Sequence, residues 1–327
     1  MRRREFIARL GAAGAYAAVP RLARAQQGTR VRRLAILTVQ SENQALVALG
    51  VTFRNELAKL GWEEGRNLQI DVRYGRGDVD RMRANAGELI GLAPDVIVAT
   101  GPSMTKITQQ QTKTIPIVIA AAGDVFASGL VTDLAHPEGN TTGVTNLFHS
   151  IAGKWVELLK EAVPRVERVG YIYDYHPQLR LSPSFEEVSR VLALRTTLIP
   201  FSNGPELVRD IDAFAAEPNG GLVMGAAALI GNYQATINAL AIQYRLPTIH
   251  PGRSGIEGGL IGYGARATDI VVRTASFVDR ILRGAKPGDL PIEYPTRFEL
   301  IVNLKTAKAI GVTIPRRFLA RADEVIE

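Results

Sequence analysis

The side chains best suited to chemistry in this sequence are few and scattered, and their spacing excludes more than it assigns. Four histidines stand at positions 136, 149, 176 and 250 without a His-x-His or His-x-x-x-His pair, and there is no cysteine. Metal ligands usually come at short helical or hairpin spacing, so no metal site is expected. Ser103 follows a strand-like run in Gly101-Pro102-Ser103-Met104-Thr105, but Thr105 stands where a nucleophile elbow needs its second glycine. Gly153-Lys154-Trp155 lacks both the loop and the hydroxyl of a phosphate-binding loop, and no Gly-x-Gly-x-x-Gly follows the first strand-like run. No cofactor and no catalytic set is therefore expected.

What remains is polar chemistry at the ends of strand-like runs, the edge at which open α/β sheets bind ligands. Gln40 and Ser41 follow the first run. Thr100, Gly101 and Ser103 follow the third, where Gly101 lets the backbone turn and Pro102 suits a first helical turn. Free N–H groups at that helix start suit a ligand carboxylate, although Thr100 or Ser103 would also serve as a simple helix cap. Asp124, after Gly123, supplies a negative charge for a ligand ammonium or caps its own loop. Later in the chain Tyr173, Tyr175 and His176 offer flat faces with polar tips, the small loop around Ala227 leaves room for a bulky group, and His250 ends a short apolar run. The expected ligand-contacting set is thus Gln40, Ser41, Thr100, Gly101, Ser103, Asp124, Tyr173, His176, Ala227 and His250.

These residues need a scaffold, and the hydrophobic pattern supplies one. Strand-like runs begin near Val31, Leu68, Asp95, Ile115 and Thr141, with helical patterns over Gln44–Leu60, Asp78–Ile90 and Pro102–Gln111. A second series follows: helices over Ile151–Ala162, Ser184–Leu194, Pro205–Ala216 and Asn232–Arg245, alternating with strands in "RVGYIYD", "RTTLIPF", "GGLVMGA", "LPTIH" and "GGLIGYG". A helix over Ala267–Arg283 precedes the turn-rich "GAKPGDLP", and "TRFELIVNLKTAKAIGV" returns a strand and a helix. Such alternation predicts two doubly wound parallel-sheet lobes, an α/β fold with both sheet faces covered.

Arg2–Gln27 reads differently from the rest. An arginine cluster, a small-residue apolar run from Leu10 to Val19 and Ala23-Arg24-Ala25 form a secretory signal with cleavage expected before Gln26. Arg3-Arg4-Glu5-Phe6-Ile7 resembles a twin-arginine export signal. The ten-residue apolar run is half what a membrane-spanning helix needs. The whole chain carries a net charge of +7. Residues 1–25 hold six arginines and one glutamate, leaving 33 basic and 31 acidic residues beyond them. With charges of both signs interspersed, nucleic acid is not an expected partner. The absence of cysteine is compatible with an oxidising export compartment.

Three separated blocks then carry a resemblance: "IPIVIAAAGDVFASGLVTDLAHPEGNTTGVTN", "LPTIHPGRSGIEGGLIGYG" and "LPIEYPTRFELIVNLKTAKAIGVTIPRRFLARADEVIE". Together they resemble the ABC transporter substrate-binding proteins of tryptophan/tyrosine-type uptake systems. The resemblance implies a type I periplasmic binding architecture, with lobe 1 over 31–145 plus 265–288 and lobe 2 over 146–264 plus 289–327. It further implies a monomer in the periplasm that takes an amino acid or an aromatic or branched carboxylate and hands it to an ABC permease. Three stretches depart from the family pattern, all at ligand-facing loops: Gly123-Asp124-Val125, Ala226-Ala227-Ala228 and "HPGRSG". Two other readings share the same scaffold: a ligand-sensing partner of a membrane receptor, and an exported hydrolase using Ser103 or Asp124 with His176 or His250.

Overall fold

A computed structural model describes residues 30–126, 128–137, 139–146, 150–174, 183–225 and 228–327. The twin-arginine and signal expectations for residues 1–25 lie outside them, as do His176 and Ala227. The first body opens with β1 (Arg32–Thr38), α1 (Gln44–Lys59), β2 (Leu68–Tyr74), α2 (Val79–Gly91) and β3 (Val96–Thr100). It continues through α3 (Pro102–Gln111), β4 (Ile117–Ala120) and β5 (Thr141–Val144). Its five strands are all parallel, in the order β2-β1-β3-β4-β5. Parallel strands carry helices on both faces, which is why β3, β4 and β5 read as unbroken buried runs. One face packs Phe53 and Leu57 of α1, and the other packs Met82, Ala86 and Leu89 of α2.

The chain then builds a second sheet. Its elements are α4 (Ile151–Ala162), β6 (Arg168–Asp174), α5 (Pro183–Val191), β7 (Arg195–Phe201), α6 (Gly204–Ala215) and β8 (Gly220–Met224). After these come α7 (Ala228–Asn232), α8 (Gln234–Gln243), β9 (Thr248–Pro251) and β10 (Ile261–Ala265). At this point it crosses back: α9 (Ala267–Leu282) packs Ile270, Phe277, Val278 and Ile281 into the core of the first sheet. The segment 290–293 runs beside β5, with Glu293 N–H donating to the Gly143 carbonyl at 2.9 Å and Thr145 N–H to the Glu293 carbonyl at 3.0 Å. A final crossing leads to β11 (Phe298–Asn303), α10 (Leu304–Ala309), α11 (Arg316–Leu319) and β12 (Glu324–Ile326). The second sheet has the order β12-β11-β10-β9-β8-β6-β7. Trp155, Phe185 and Phe318 fill one side of it, and Ile211, Phe214 and Ile237 fill the other.

The two-lobed α/β architecture expected from the sequence is what folds, with local differences. β11 runs antiparallel to β10, because it enters from the crossing segment rather than through a helix. The helix expected over Asn232–Arg245 is α8, which begins two residues later at Gln234 and ends at Gln243, and a short helix, α7, precedes it with the break at Tyr233. The Tyr233 ring stands edge-on to Phe201 with centroids 5.7 Å apart, and a Cβ on Gly204 would lie 2.9 Å from its Cε1. Seating that ring fixes the chain direction at the break, which an apolar count along the sequence does not register. Helix α5 begins one residue earlier than expected and ends at Val191, where Ala193 turns left-handed at φ 52°.

Candidate functional site

Among the described residues, the loops after β1, β2, β3, β4 and β5 share one edge of the first sheet, as parallel pairing requires. The loop after β2 reaches the second body: a Cβ built on Gly77 would lie 3.7 Å from Asn232 Nδ2, at the end of α7. The strand-end loops of the first sheet thus face the loop region after β8 of the second.

The centre of the first-sheet edge is built around β1 and β3. Thr38 and Thr100 are register partners, and Thr100 Oγ1 lies 2.8 Å from Thr38 Oγ1. Gly101 follows at φ 80°, and a Cβ there would meet Val39 Cγ1 at 2.9 Å, so both its rotation and its closeness to β1 require glycine. Pro102 opens α3, and no side chain caps the helix: neither Thr100 nor Ser103 takes the capping role. The N–H groups of Ser103 and Met104 therefore have no intrahelical acceptor and lie at the positive end of a ten-residue helix. Ser103 is exposed and Thr100 half-buried, while Met104, Thr105 and Thr108 anchor the helix below. Gln40 and Ser41 are exposed at the end of β1.

Asp124 sits in a loop braced against β5. Gly123 N–H donates to Asn146 Oδ1 at 2.8 Å, and the Thr145 hydroxyl donates to the Gly123 carbonyl. The Asp124 carboxylate accepts from Phe126 N–H at 3.0 Å, and its backbone carbonyl accepts from the Ser128 hydroxyl at 2.5 Å. Asp124 therefore shapes its own loop and remains half-buried at the edge. Burial first, and then the nearby Asp124 charge, raise the Tyr294 hydroxyl pKa, which places this carboxylate beside the last crossing segment. Ala121 enters the same loop at φ 57°, a conformation that costs a non-glycine residue energy.

On the second sheet, Tyr173 is half-buried and packs against Tyr171 with centroids 5.9 Å apart. His250 is placed differently from the exposed loop residues, for its ring is fully buried. Asn238 Nδ2 donates to the carbonyls of Gly255 (2.9 Å) and Glu257 (2.8 Å), which leaves Asn238 Oδ1 to accept from Gln234 Nε2 at 3.3 Å. The same Gln234 amide lies 3.3 Å from His250 Nδ1, and Thr248 Oγ1 lies 3.0 Å from Nε2. This chain of donors assigns Nδ1 as acceptor and puts the single ring proton on Nε2. Burial pushes the ring pKa down to about 3, so His250 is neutral at every physiological pH. Gly255 and Gly259 close over the ring, where a Cβ would come within 2.7 Å and 2.4 Å of its nitrogens. In this arrangement the ring holds the loop after β9. The network was not legible in the sequence because Gln234 and Asn238 lie on a helix sixteen and twelve residues away.

The described residues contain no group of three metal-ligating side chains. No helix among them is long and apolar enough to cross a membrane. A separate cavity of about 400 Å³ lies on the second body, lined by Ile242, Asn303, Thr306 and Ile326 among others, and shares no residue with the edge.

Known proteins agree with this picture. The ABC transporter substrate binding protein family matches residues 35–326. A tyrosine-binding protein of Clostridioides difficile is 23% identical over 264 residues, covering 80% of this chain and 75% of that protein. The structure of an ABC domain in complex with L-Trp from Streptococcus pneumonia covers 90% of this chain and 99% of its own, at 23% identity and a TM-score of 0.83. The ligand-free, open structure of a substrate-binding protein with adhesive properties from Clostridium difficile has the same two coverages at 24% identity, with a TM-score of 0.69. The chain belongs to the ABC transporter substrate-binding protein family, and is a binding protein rather than an enzyme.

Proposed function

We propose that this chain is the exported solute receptor of an ABC importer, and that it captures an amino acid with an aromatic or branched apolar side chain between its two lobes. The observation that carries the reading is the uncapped start of α3, whose Ser103 and Met104 N–H groups stand beside the Thr38–Thr100 hydroxyl pair at the sheet edge facing the second body. That arrangement suits a ligand carboxylate. Asp124 at the neighbouring loop then meets the ammonium, and Tyr173 contacts the side chain. Gln40 and Ser41 line the rim, and His250 supports the loop after β9. Lobe 1 comprises 31–145 with 265–288, and lobe 2 comprises 146–264 with 289–327, except that 290–293 runs beside β5 and goes with lobe 1.

A ligand that touches both lobes stabilises their closed arrangement. In this reading the N-terminal 25 residues direct export, with cleavage before Gln26, and the mature monomer meets a permease at the membrane.

Thermal unfolding of the mature protein with L-tryptophan, L-tyrosine, tryptamine and tyramine tests the proposal. A ligand at 100 times its Kd stabilises by about 2.7 kcal/mol. The amino acids are expected to raise the transition and the two amines, which lack the carboxylate, to leave it in place. Equal shifts from amines and amino acids refute the role of α3, and no shift from any amino acid refutes the ligand class.

A further inference from the structure

The last crossing segment joins the first sheet beyond β5. Val144 and Glu293 form a parallel bridge, flanked by the bonds from Glu293 N–H to the Gly143 carbonyl (2.9 Å) and from Thr145 N–H to the Glu293 carbonyl (3.0 Å). The segment therefore runs in the direction of β5 and leaves the sheet at the same edge. This puts Tyr294 level with Thr145, on the side where the loops after β1 to β5 lie.

Side chains alternate along extended backbone, and the neighbours of Tyr294 fix which way it points. Glu293 faces α9, where Arg273 Nε donates to its carboxylate at 2.7 Å and an Arg280 nitrogen lies 3.8 Å away. Ile292 faces the opposite side, buried in a cluster with Ile119, Val125 and Leu130. Tyr294 shares the side of Ile292 and stands nearer the edge, beside the loop in which Asp124 precedes Val125. The same loop is tied to the crossing segment through Thr145, whose N–H bonds the Glu293 carbonyl and whose hydroxyl bonds the Gly123 carbonyl.

Two properties of the Tyr294 hydroxyl bear on its role. It makes no hydrogen bond to a described residue, although the side chain is half-buried. Burial and then the Asp124 charge raise its pKa above the ordinary value of 10.0, so the phenol keeps its proton at physiological pH. A neutral phenol oxygen accepts hydrogen bonds as well as donating one. An ammonium lying between it and the Asp124 carboxylate gives one N–H to each.

We propose that Tyr294 is a ligand-contacting residue, and that its hydroxyl and the Asp124 carboxylate together form the subsite for the ammonium of the amino acid. This rests on the solute-receptor reading above, and adds to it a residue from the segment that joins the two bodies. The ammonium is then held at the β4–β5 side of the edge and the carboxylate at the β3 side, where α3 begins.

The test is calorimetric titration of the mature chain as wild type, Tyr294→Phe and Tyr294→Leu. The ligands are L-tryptophan, L-tyrosine and their deamino counterparts, indole-3-propionate and 3-(4-hydroxyphenyl)propionate, with weak affinities read by competition against L-tryptophan. The counterparts keep the carboxylate and the ring and lack only the ammonium. Tyr294→Phe removes one oxygen, and Tyr294→Leu removes the aromatic ring as well. Both variants are expected to weaken the amino acids about tenfold or more, as for the loss of a hydrogen bond to a charged group. Tyr294→Phe should leave the deamino acids at their wild-type affinity. An unchanged amino-acid Kd in Tyr294→Phe overturns the proposal, and so does an equal loss on amino and deamino acids, which marks a packing role. Failure of both variants to fold has the same meaning. If wild type binds neither amino acid, the ligand class above fails and the ammonium subsite falls with it. Amino-acid binding that is alike in wild type and Tyr294→Phe removes Tyr294 alone and leaves that reading intact.

Discussion

His250 allows a prediction whose size follows from the structure. Its ring is buried with its pKa lowered to about 3, against 6.5 for an unperturbed imidazole. The group is neutral in the folded protein, so below pH 6.5 the unfolded chain binds a proton that the folded chain does not. Stability from this group is fully present above pH 6.5, falls as the pH drops, and stops falling near pH 3. Between pH 7 and pH 5 the linkage relation gives a loss of about 2 kcal/mol, because the unfolded imidazole goes from mostly neutral to almost fully charged. That value is insensitive to the folded pKa so long as it lies well below 5. The perturbation is His250→Gln, which keeps a polar side chain in the pocket and removes the titration. Urea unfolding of wild type and variant at pH 5 and pH 7 isolates the term as a double difference, since the other titrating groups cancel. The variant should be less stable at pH 7, through imperfect replacement of the bonds to Thr248 and Gln234, yet should lack about 2 kcal/mol of the wild-type loss at pH 5. Equal pH dependence in the two proteins refutes the buried neutral ring, and so does an imidazole signal that titrates between pH 5 and pH 7 in the folded wild type.

Two further substitutions probe the scaffold of the site. Gly143→Ala places a Cβ 2.3 Å from the Ile119 carbonyl oxygen, across the β4–β5 pair and at a φ of 135°. No side chain can move to relieve it, so a loss of more than about 4 kcal/mol, read by urea unfolding, is expected; a loss under about 1 kcal/mol refutes the strand pairing there. Gly101→Ala meets Val39 Cγ1 at 2.9 Å and is disfavoured at φ 80°. It is expected to cost about 1–2 kcal/mol of stability and to abolish binding of any carboxylate ligand, which calorimetry detects; unchanged affinity refutes the role of the α3 start.

Much of the fold was legible because its periodicities are strong. The runs at β2, β6 and β7 and the helices α3 and α4 stand where the sequence placed them to the residue. Continuous apolar strands, amphipathic helices and Gly or Pro at the junctions are local signals, and local sequence fixes them. The three blocks that carry the family resemblance lie in the same order in the chain, and residues 35–326 match that family. Sequence also foretold that the loops after β1 to β5 share one side, because parallel pairing forces all loops at the C-terminal ends of strands onto it.

Tertiary structure decided what each polar residue at that edge does. The sequence left open whether Thr100 or Ser103 caps α3, and the structure leaves that helix uncapped because Gly101 takes the cap position with no side chain to offer. His250 looked like a loop residue at a strand end, yet Gly255 and Gly259 fold over it and a helix supplies its partners. The helix expected to start at Asn232 starts at Gln234, after the short α7, where the Tyr233 ring seats against Phe201 and Gly204. The physical reason is common to the three. Helix and strand are dictated by contacts within a few residues, whereas burial, protonation and the seating of a ring depend on groups that meet only when distant segments pack.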